Sequence, residues 1–126
     1  MYLIDTNVFL EILLAQEKSV VCKRFLDANI SNSFITDFSL HSIGVILFRN
    51  AKESVFQKFV DDVISNIEVV RLQKELYGEL TRIRKILGLD FDDAYQYKVA
   101  IEHGLEIATM DKDFDKVKKK VKVRFL

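Results

Sequence analysis

Met1-Tyr2-Leu3-Ile4-Asp5-Thr6-Asn7-Val8 opens the chain, and its apolar run ends abruptly on an acid. Tyr2-Leu3-Ile4 reads as a buried strand, and helical spacing of apolar residues begins at Val8. In a parallel α/β sheet, ligands bind just beyond the carboxyl ends of the strands, so Asp5 stands where such a sheet keeps its chemistry. Asp is also a favoured helix cap, and Asp5-Thr6-Asn7 can open a helix. Asn7 caps equally well, which would leave Asp5 free to face a cleft.

Working outward, strand-like runs recur at Ser33-Phe34-Ile35, Glu68-Val69-Val70, Leu105-Glu106-Ile107-Ala108 and Lys122-Val123-Arg124-Phe125. Helical segments separate them. Val8, Ile12 and Ala15 line a first helix face, and Val20, Val21, Phe25 and Leu26 a second. Phe38, Ile43, Ile46 and Leu47 mark a third, and Val55, Phe56, Phe59, Val60 and Val63 a fourth. Leu76, Leu80, Ile83 and Leu87 mark a fifth, stopped by Gly88. Ala94, Tyr97, Val99 and Ile101 mark a sixth, stopped by Gly104. Strands alternating with helices predict right-handed crossovers and an α/β fold, with a mainly parallel sheet of roughly five strands covered on both faces.

The length of 126 residues predicts one domain spanning residues 1–126. Apolar residues make up 49% and charged residues 30%, the balance of a globular protein. No apolar run approaches the roughly 20 residues that cross a bilayer, and the N-terminus lacks the pattern of a signal peptide. A single cysteine, Cys22, forms no internal disulfide, fits a reducing cytosol and reads as a packing residue. A cytoplasmic location and no membrane role are therefore expected. The formal net charge is zero but uneven: residues 1–110 hold 12 Lys and Arg against 16 Asp and Glu, and residues 111–126 hold seven against three. The basic run Lys116–Arg124 can meet a phosphate backbone. The alternation of Val121, Val123 and Phe125 with Lys122 and Arg124 favours a Lys-protected edge strand instead.

Two later acids share the placement of Asp5. Asp93 sits in Leu89-Asp90-Phe91-Asp92-Asp93-Ala94, where Asp90 and Asp93 have capping-box spacing. Three acids in four residues exceed what a cap needs, so Asp92 or Asp93 is expected to face a site. Asp111 follows the Leu105–Ala108 strand through Thr109-Met110, again just past a carboxyl end. Asp111-Lys112-Asp113-Phe114-Asp115 is not a calcium loop, because Lys116 and Lys122 occupy the positions of the required Gly and Glu. Three gathered carboxylates repel one another and raise one another's pKa values. A divalent cation relieves this, and oxygen ligands without thiolates or paired imidazoles select Mg²⁺ or Mn²⁺ over zinc. Such an ion orients water and stabilises charge on a phosphoryl group, so the pattern points to phosphodiester hydrolysis.

These residues resemble the PIN-domain nucleases, which include the VapC toxins of toxin–antitoxin pairs. The likeness spans nearly the whole chain. Tyr2-Leu3-Ile4-Asp5-Thr6-Asn7-Val8 resembles the family's first acidic motif, and Asp93-Ala94-Tyr95-Gln96-Tyr97-Lys98-Val99-Ala100 its Asp-Ala helix. Gly104-Leu105-Glu106-Ile107-Ala108-Thr109-Met110-Asp111-Lys112-Asp113-Phe114 resembles its closing strand and Thr-x-Asp-x-Asp-Phe signature. The resemblance implies a three-layer α/β/α sandwich and a Mg²⁺- or Mn²⁺-dependent ribonuclease. It gives catalytic and metal-binding roles to Asp5, Asp93 and Asp111, with Asp113 auxiliary. It also implies RNA as partner, an antitoxin protein as a candidate partner, and a homodimer as an allowed state. One departure stands out: the family's Glu early in the third helix aligns with Ser42, a weak neutral ligand. Asp37 or His41 are candidates to compensate, although Asp37 also reads as a helix cap and His41 as a surface or core residue. Asn7 completes the auxiliary set.

The leading expectation is thus a metal-dependent ribonuclease, the toxin of a toxin–antitoxin pair being one setting for it. The alternative, motivated by Ser42, is a catalytically weak or inactive PIN-fold module that binds RNA or a protein. A phosphatase of the haloacid-dehalogenase type also starts with an acid after its first strand, but it needs a second Asp where this chain has Asn7. The aromatics lie mainly at helical core spacing, with Tyr95 and Tyr97 the candidates nearest the acids for stacking on bases. Arg82, Arg84 and Lys85 form a small basic group, read as a solvated helix face with the capacity to meet RNA phosphates.

Overall fold

The computed structural model describes residues 1–126. Five strands, β1 (Tyr2–Ile4), β2 (Ser33–Thr36), β3 (Glu68–Val70), β4 (Glu106–Thr109) and β5 (Val123–Phe125), form one sheet in the order β3-β2-β1-β4-β5. Every neighbouring pair is parallel. The connections carry six α-helices: α1 (Thr6–Leu13), α2 (Ser19–Asn29), α3 (Asp37–Arg49), α4 (Glu53–Asp62), α5 (Glu79–Leu87) and α6 (Phe91–His103). Short 3-10 turns fill several of the remaining links, the longest over Lys112–Val117.

The side-chain period of two divides the strands between two cores. Leu3 and Ile107 face one side with α5, α6, Phe114 and Val117. Ile4, Ile35 and Ala108 face the other with α1 to α4. The result is the expected three-layer α/β/α sandwich. Leu3, Ile4 and Ile107 are each 0% exposed, as strands covered on both faces require.

The order of the strands fixes where chemistry can sit. The chain runs outward from β1 through β2 to β3, then crosses over to build β4 and β5 on the other flank. Between β1 and β4 the winding reverses, and the crevice beyond the carboxyl ends of these two strands is the topological switch point. Asp5 is the residue after β1, and Asp111 lies two residues beyond β4.

Some local expectations hold and others need adjustment. Gly88 and Gly104 end α5 and α6 in the left-handed region, with φ of 70° and 64°, as a glycine stop requires. Ala15, expected on the first helix, instead lies beyond it with φ of 51°, because the helix closes at Leu14. Val20 and Val21 are 66% and 48% exposed, and Cys22 and Leu26 are the side chains that α2 buries. The Lys-rich end does form an edge strand, β5. Cys22 is fully buried beside Met110, and burial pushes its thiol pKa up, in keeping with a packing role. No helix is long and apolar enough to cross a membrane.

Candidate active site

A cleft of about 440 Å³ opens at the switch point, and Asp5, Asn7, Ser42, Asp92, Asp93 and Asp111 line it together with the aromatic rings of Phe38 and Phe91. Five elements meet there. Asp5 comes from the end of β1, Asn7 from α1, Ser42 and Phe38 from α3, Phe91 to Asp93 from the first turn of α6, and Asp111 from the loop after β4.

Asp5 occupies the N-cap position of α1 but makes no side-chain cap hydrogen bond. Its carboxylate turns inward: Gln96 Nε2 donates to Oδ1 at 2.8 Å, and Thr109 Oγ1 donates to Oδ2 at 2.7 Å. Asn7, offered by the sequence as the alternative cap, lies within the helix and faces the cleft. Asp5 is 3% exposed. Burial raises its pKa, against the two hydrogen bonds that lower it, and the nearby charge of Asp111 raises it further.

Asp93 lies buried in the first turn of α6, where the helix dipole favours a negative charge. Asp90 takes the cap position, as the capping-box spacing predicts, but it makes no side-chain cap hydrogen bond. The capping box is therefore not formed: Asp90 turns outward to pair with Arg84 Nη1 at 2.7 Å. That leaves Asp93 free for the cleft. Its carboxyl is pushed up to about 7, first by burial and then by the charges of Asp92, Asp111, Asp5 and Asp113.

Asp111 caps the 3-10 turn that follows, with Oδ1 accepting from the Asp113 amide at 2.8 Å. Its own amide donates to Thr109 Oγ1 at 2.9 Å, so a single hydroxyl links Asp111 to Asp5. Asp93, Asp111 and Asp113 each offer a carboxylate oxygen, and these oxygens lie within 4.8 Å of one another. Opposite ligands of an octahedral Mg²⁺ are roughly 4 Å apart, so this all-oxygen set fits such an ion with small side-chain adjustment. Asp5 stands beside it, with both oxygens already holding one donor each.

The auxiliary candidates separate. Ser42 lines the acid cleft, whereas Asp37 and His41 line a different cavity of about 560 Å³, shared with Phe48 and Phe56 of α3 and α4. Asp37 does not cap α3. Thr36 does, its Oγ1 accepting from the Ser39 amide at 2.9 Å. Asp37, the first residue of the helix, accepts at Oδ1 from the neighbouring Phe38 amide at 2.8 Å and from the Tyr95 hydroxyl at 2.6 Å. Tyr95 in turn accepts from the Leu72 amide, and burial together with Asp37 raises its pKa, holding the phenol in its donating form. Tyr95 and Tyr97 are 1% and 9% exposed and are core residues rather than base platforms.

Two contributors were not singled out by sequence reasoning. Thr109 and Gln96 both lie inside the family-like motifs, where spacing sets neither apart from its neighbours. A polar residue between Tyr95 and Tyr97 on a buried helix face was the available signal, since such a group needs a partner.

The PIN domain family model matches residues 2–120. The chain belongs to the PIN domain family. PIN domains are in general nucleases, and the carboxylate cleft at the switch point of this chain suits that chemistry. Solved structures share the fold. The VapC20 toxin of Mycobacterium tuberculosis, described as cleaving the sarcin–ricin loop, superposes with a TM-score of 0.77 at 15% identity, covering 91% of this chain and 93% of that one. A VapBC2 complex of Rickettsia felis bound to a DNA fragment from its promoter gives 0.76 at 19% identity, covering 98% and 97%. A toxin–antitoxin complex from Klebsiella pneumoniae gives 0.73 at 21% identity, covering 90% of each chain. No curated protein matches the chain in sequence.

Proposed function

We propose that this PIN domain is a Mg²⁺- or Mn²⁺-dependent ribonuclease. The observation that carries the reading is the convergence of Asp93, Asp111 and Asp113 oxygens within 4.8 Å, at a crevice that Asp5 also lines. Asp93 and Asp111 would hold the ion, with Asp113 at the mouth and Asp5 at the floor. When bound, the ion would lower the pKa of a water and offset charge on the phosphoryl oxygens. The chain's own residues do the rest. Gln96 and Thr109 fix the Asp5 carboxylate in one orientation, and Thr109 ties it to the Asp111 backbone. The first turn of α6 presents Asp93 from a rigid element rather than a loop, which favours precise placement.

Cytoplasmic RNA is the substrate this reading needs. The complexes of similar fold from Klebsiella and Rickettsia support an antitoxin protein as a partner, and with it a role as the toxin of a pair. The test is cleavage of single-stranded RNA in Mn²⁺ by the wild type, by Asp93→Asn and by Asp5→Asn. Activity that depends on both carboxylates supports the assignment. Equal activity in all three proteins refutes it.

One observation favours a second reading. Ser42 lines the cleft where the family likeness expects a carboxylate, which leaves the site one negative charge short. On that reading the chain is a weak or inactive module that binds RNA or a protein. Calorimetry showing no uptake of Mn²⁺ at pH 7.5 would favour it, and tight uptake lost in Asp93→Asn would exclude it.

A further inference from the structure

Phe91 is a large apolar side chain left 56% exposed, at the edge of a cleft otherwise lined with acids. Its ring also walls a second cavity of about 340 Å³ between α5 and the first turn of α6. Tyr77, itself 44% exposed, Thr81, Arg84 and Asp90 line that cavity with it. The two cavities are thus neighbours separated by one aromatic ring. Behind that ring lies Tyr95, stacked at a centroid distance of 6.5 Å and an interplanar angle of 29°, with Phe38 6.0 Å away. This backing holds the Phe91 ring in place while leaving over half of the side chain open.

The chemistry of the second cavity is specific. It combines aromatic faces, a hydroxyl on Thr81 and the guanidinium of Arg84. Arg84 directs Nη1 to Asp90 and to the Leu89 carbonyl, at 2.7 and 3.3 Å. An aromatic face suits a nucleobase of any identity, and a guanidinium suits a phosphate. A hydroxyl and a carboxylate suit the ribose hydroxyls. Acids alone repel a polyanion, so a strand entering the acid cleft needs holding points beside it, and this cavity is the adjoining one with an aromatic wall and a cation.

We propose that the cavity between α5 and α6 is a nucleotide subsite, in which an unstacked base of single-stranded RNA packs on Phe91 while Arg84 meets the phosphate next to the one at the acids. The inference rests on the ribonuclease reading. It selects single strands, because the bases of an A-form duplex are stacked internally and cannot reach a protein ring.

The chain contains no tryptophan, so Phe91→Trp introduces a sole indole reporter. Hexa-adenylate RNA is titrated into that variant in EDTA, where hydrolysis does not interfere. The expected result is quenching of the indole by the single strand but not by the same strand in a duplex or by inorganic phosphate. Adding Arg84→Ala should weaken the apparent Kd about tenfold. In parallel, Phe91→Ala and Phe91→Leu should raise KM on a short single-stranded RNA roughly tenfold, the loss of one base stack, with kcat within about twofold of wild type. Absence of quenching, equal quenching by duplex, or unchanged KM in both variants overturns the subsite. The two readings fail separately: quenching without any cleavage by wild type overturns the nuclease and keeps the subsite, while Asp93-dependent cleavage without quenching does the reverse.

Discussion

Asn in place of Asp93 should make the metal-free protein more stable at neutral pH. The carboxyl of Asp93 titrates near 7 in the folded chain and near 3.8 when unfolded. A group whose folded pKa lies above its unfolded value favours folding below the lower value, and that contribution is lost as pH rises through the upper one. Each unit is worth about 1.4 kcal/mol, so the full interval corresponds to roughly 4 kcal/mol. Solvent reaches the mouth of the cleft and screens the charges, and halving the figure gives about 2 kcal/mol. The wild type in EDTA should therefore lose about that much stability between pH 4 and pH 7.5. Asp93→Asn, which keeps the shape and removes the charge, should lose much less over the same interval. For a chain of this size the difference amounts to roughly 6–10 °C in melting temperature at pH 7.5. Thermal or urea melts across the pH range, with and without 1 mM Mn²⁺, measure it. Mn²⁺ should raise the wild type toward the variant and leave the variant almost unmoved. Parallel pH profiles for the two proteins in EDTA would refute the reasoning, because they would show that Asp93 carries no buried-charge penalty.

Other expectations follow from single contacts. Thr109→Val keeps the shape of a fully buried side chain but removes the donor to Asp5 and the acceptor for the Asp111 amide. It should cost about 2–3 kcal/mol in urea unfolding and weaken Mn²⁺ uptake in calorimetry. Tyr95→Phe leaves the buried Leu72 amide without its acceptor and frees Asp37, and chemical unfolding should register a loss of about 1–2 kcal/mol. Ser42→Glu places a further carboxylate on the cleft wall: it should tighten Mn²⁺ binding at least tenfold while lowering stability in EDTA, both readable by calorimetry. Ala15→Gly relieves a left-handed alanine with φ of 51° and should raise stability by about 0.5 kcal/mol, a gain visible as a higher urea midpoint.

The fold was legible because its signals are local and repeated. Tyr2-Leu3-Ile4 and Leu105–Ala108 are short apolar runs, and residues on opposite faces of the sheet alternate as expected, with Leu3 in one core and Ile4 in the other. Gly88 and Gly104 marked two helix ends through a backbone conformation that few other residues tolerate. What stayed hidden depends on choices made in three dimensions. Asp5, Asp37 and Asp90 all carried the chemistry of a helix cap, yet none uses its side chain as the N-cap: Arg84, six residues back, takes Asp90, while Gln96 with Thr109 and Tyr95 offer Asp5 and Asp37 distant partners. Those partners lie 91, 104 and 58 residues away for the Asp5 and Asp37 contacts, a separation that spacing rules do not reach. Likewise Val20 and Val21 fit an apolar helix face in sequence, but rotation of α2 onto Cys22 and Leu26 turned them to solvent. His41 and Ser42 are adjacent in sequence, and the helix sends them to different cavities.

The placement of β1 between β2 and β4 has a consequence for how the protein is made. The strand carrying Asp5 leaves the ribosome about 100 residues ahead of the loop that carries Asp111 and Asp113. At synthesis rates of about 5–20 residues per second, roughly 5–20 s separate the two ends of the site. During that interval the inner edge of β1 is unpaired, and the carboxylates that would gather an ion are not yet joined. A chain interrupted before β4 would hold Asp5 and Asp93 without Asp111, without the Thr109 hydroxyl and without the sheet neighbour that closes the crevice. The carboxylate cluster is therefore complete only after β4 and the loop behind it have been made. On the ribonuclease reading proposed above, that order of assembly keeps the site incomplete while its own ribosome is still building β4.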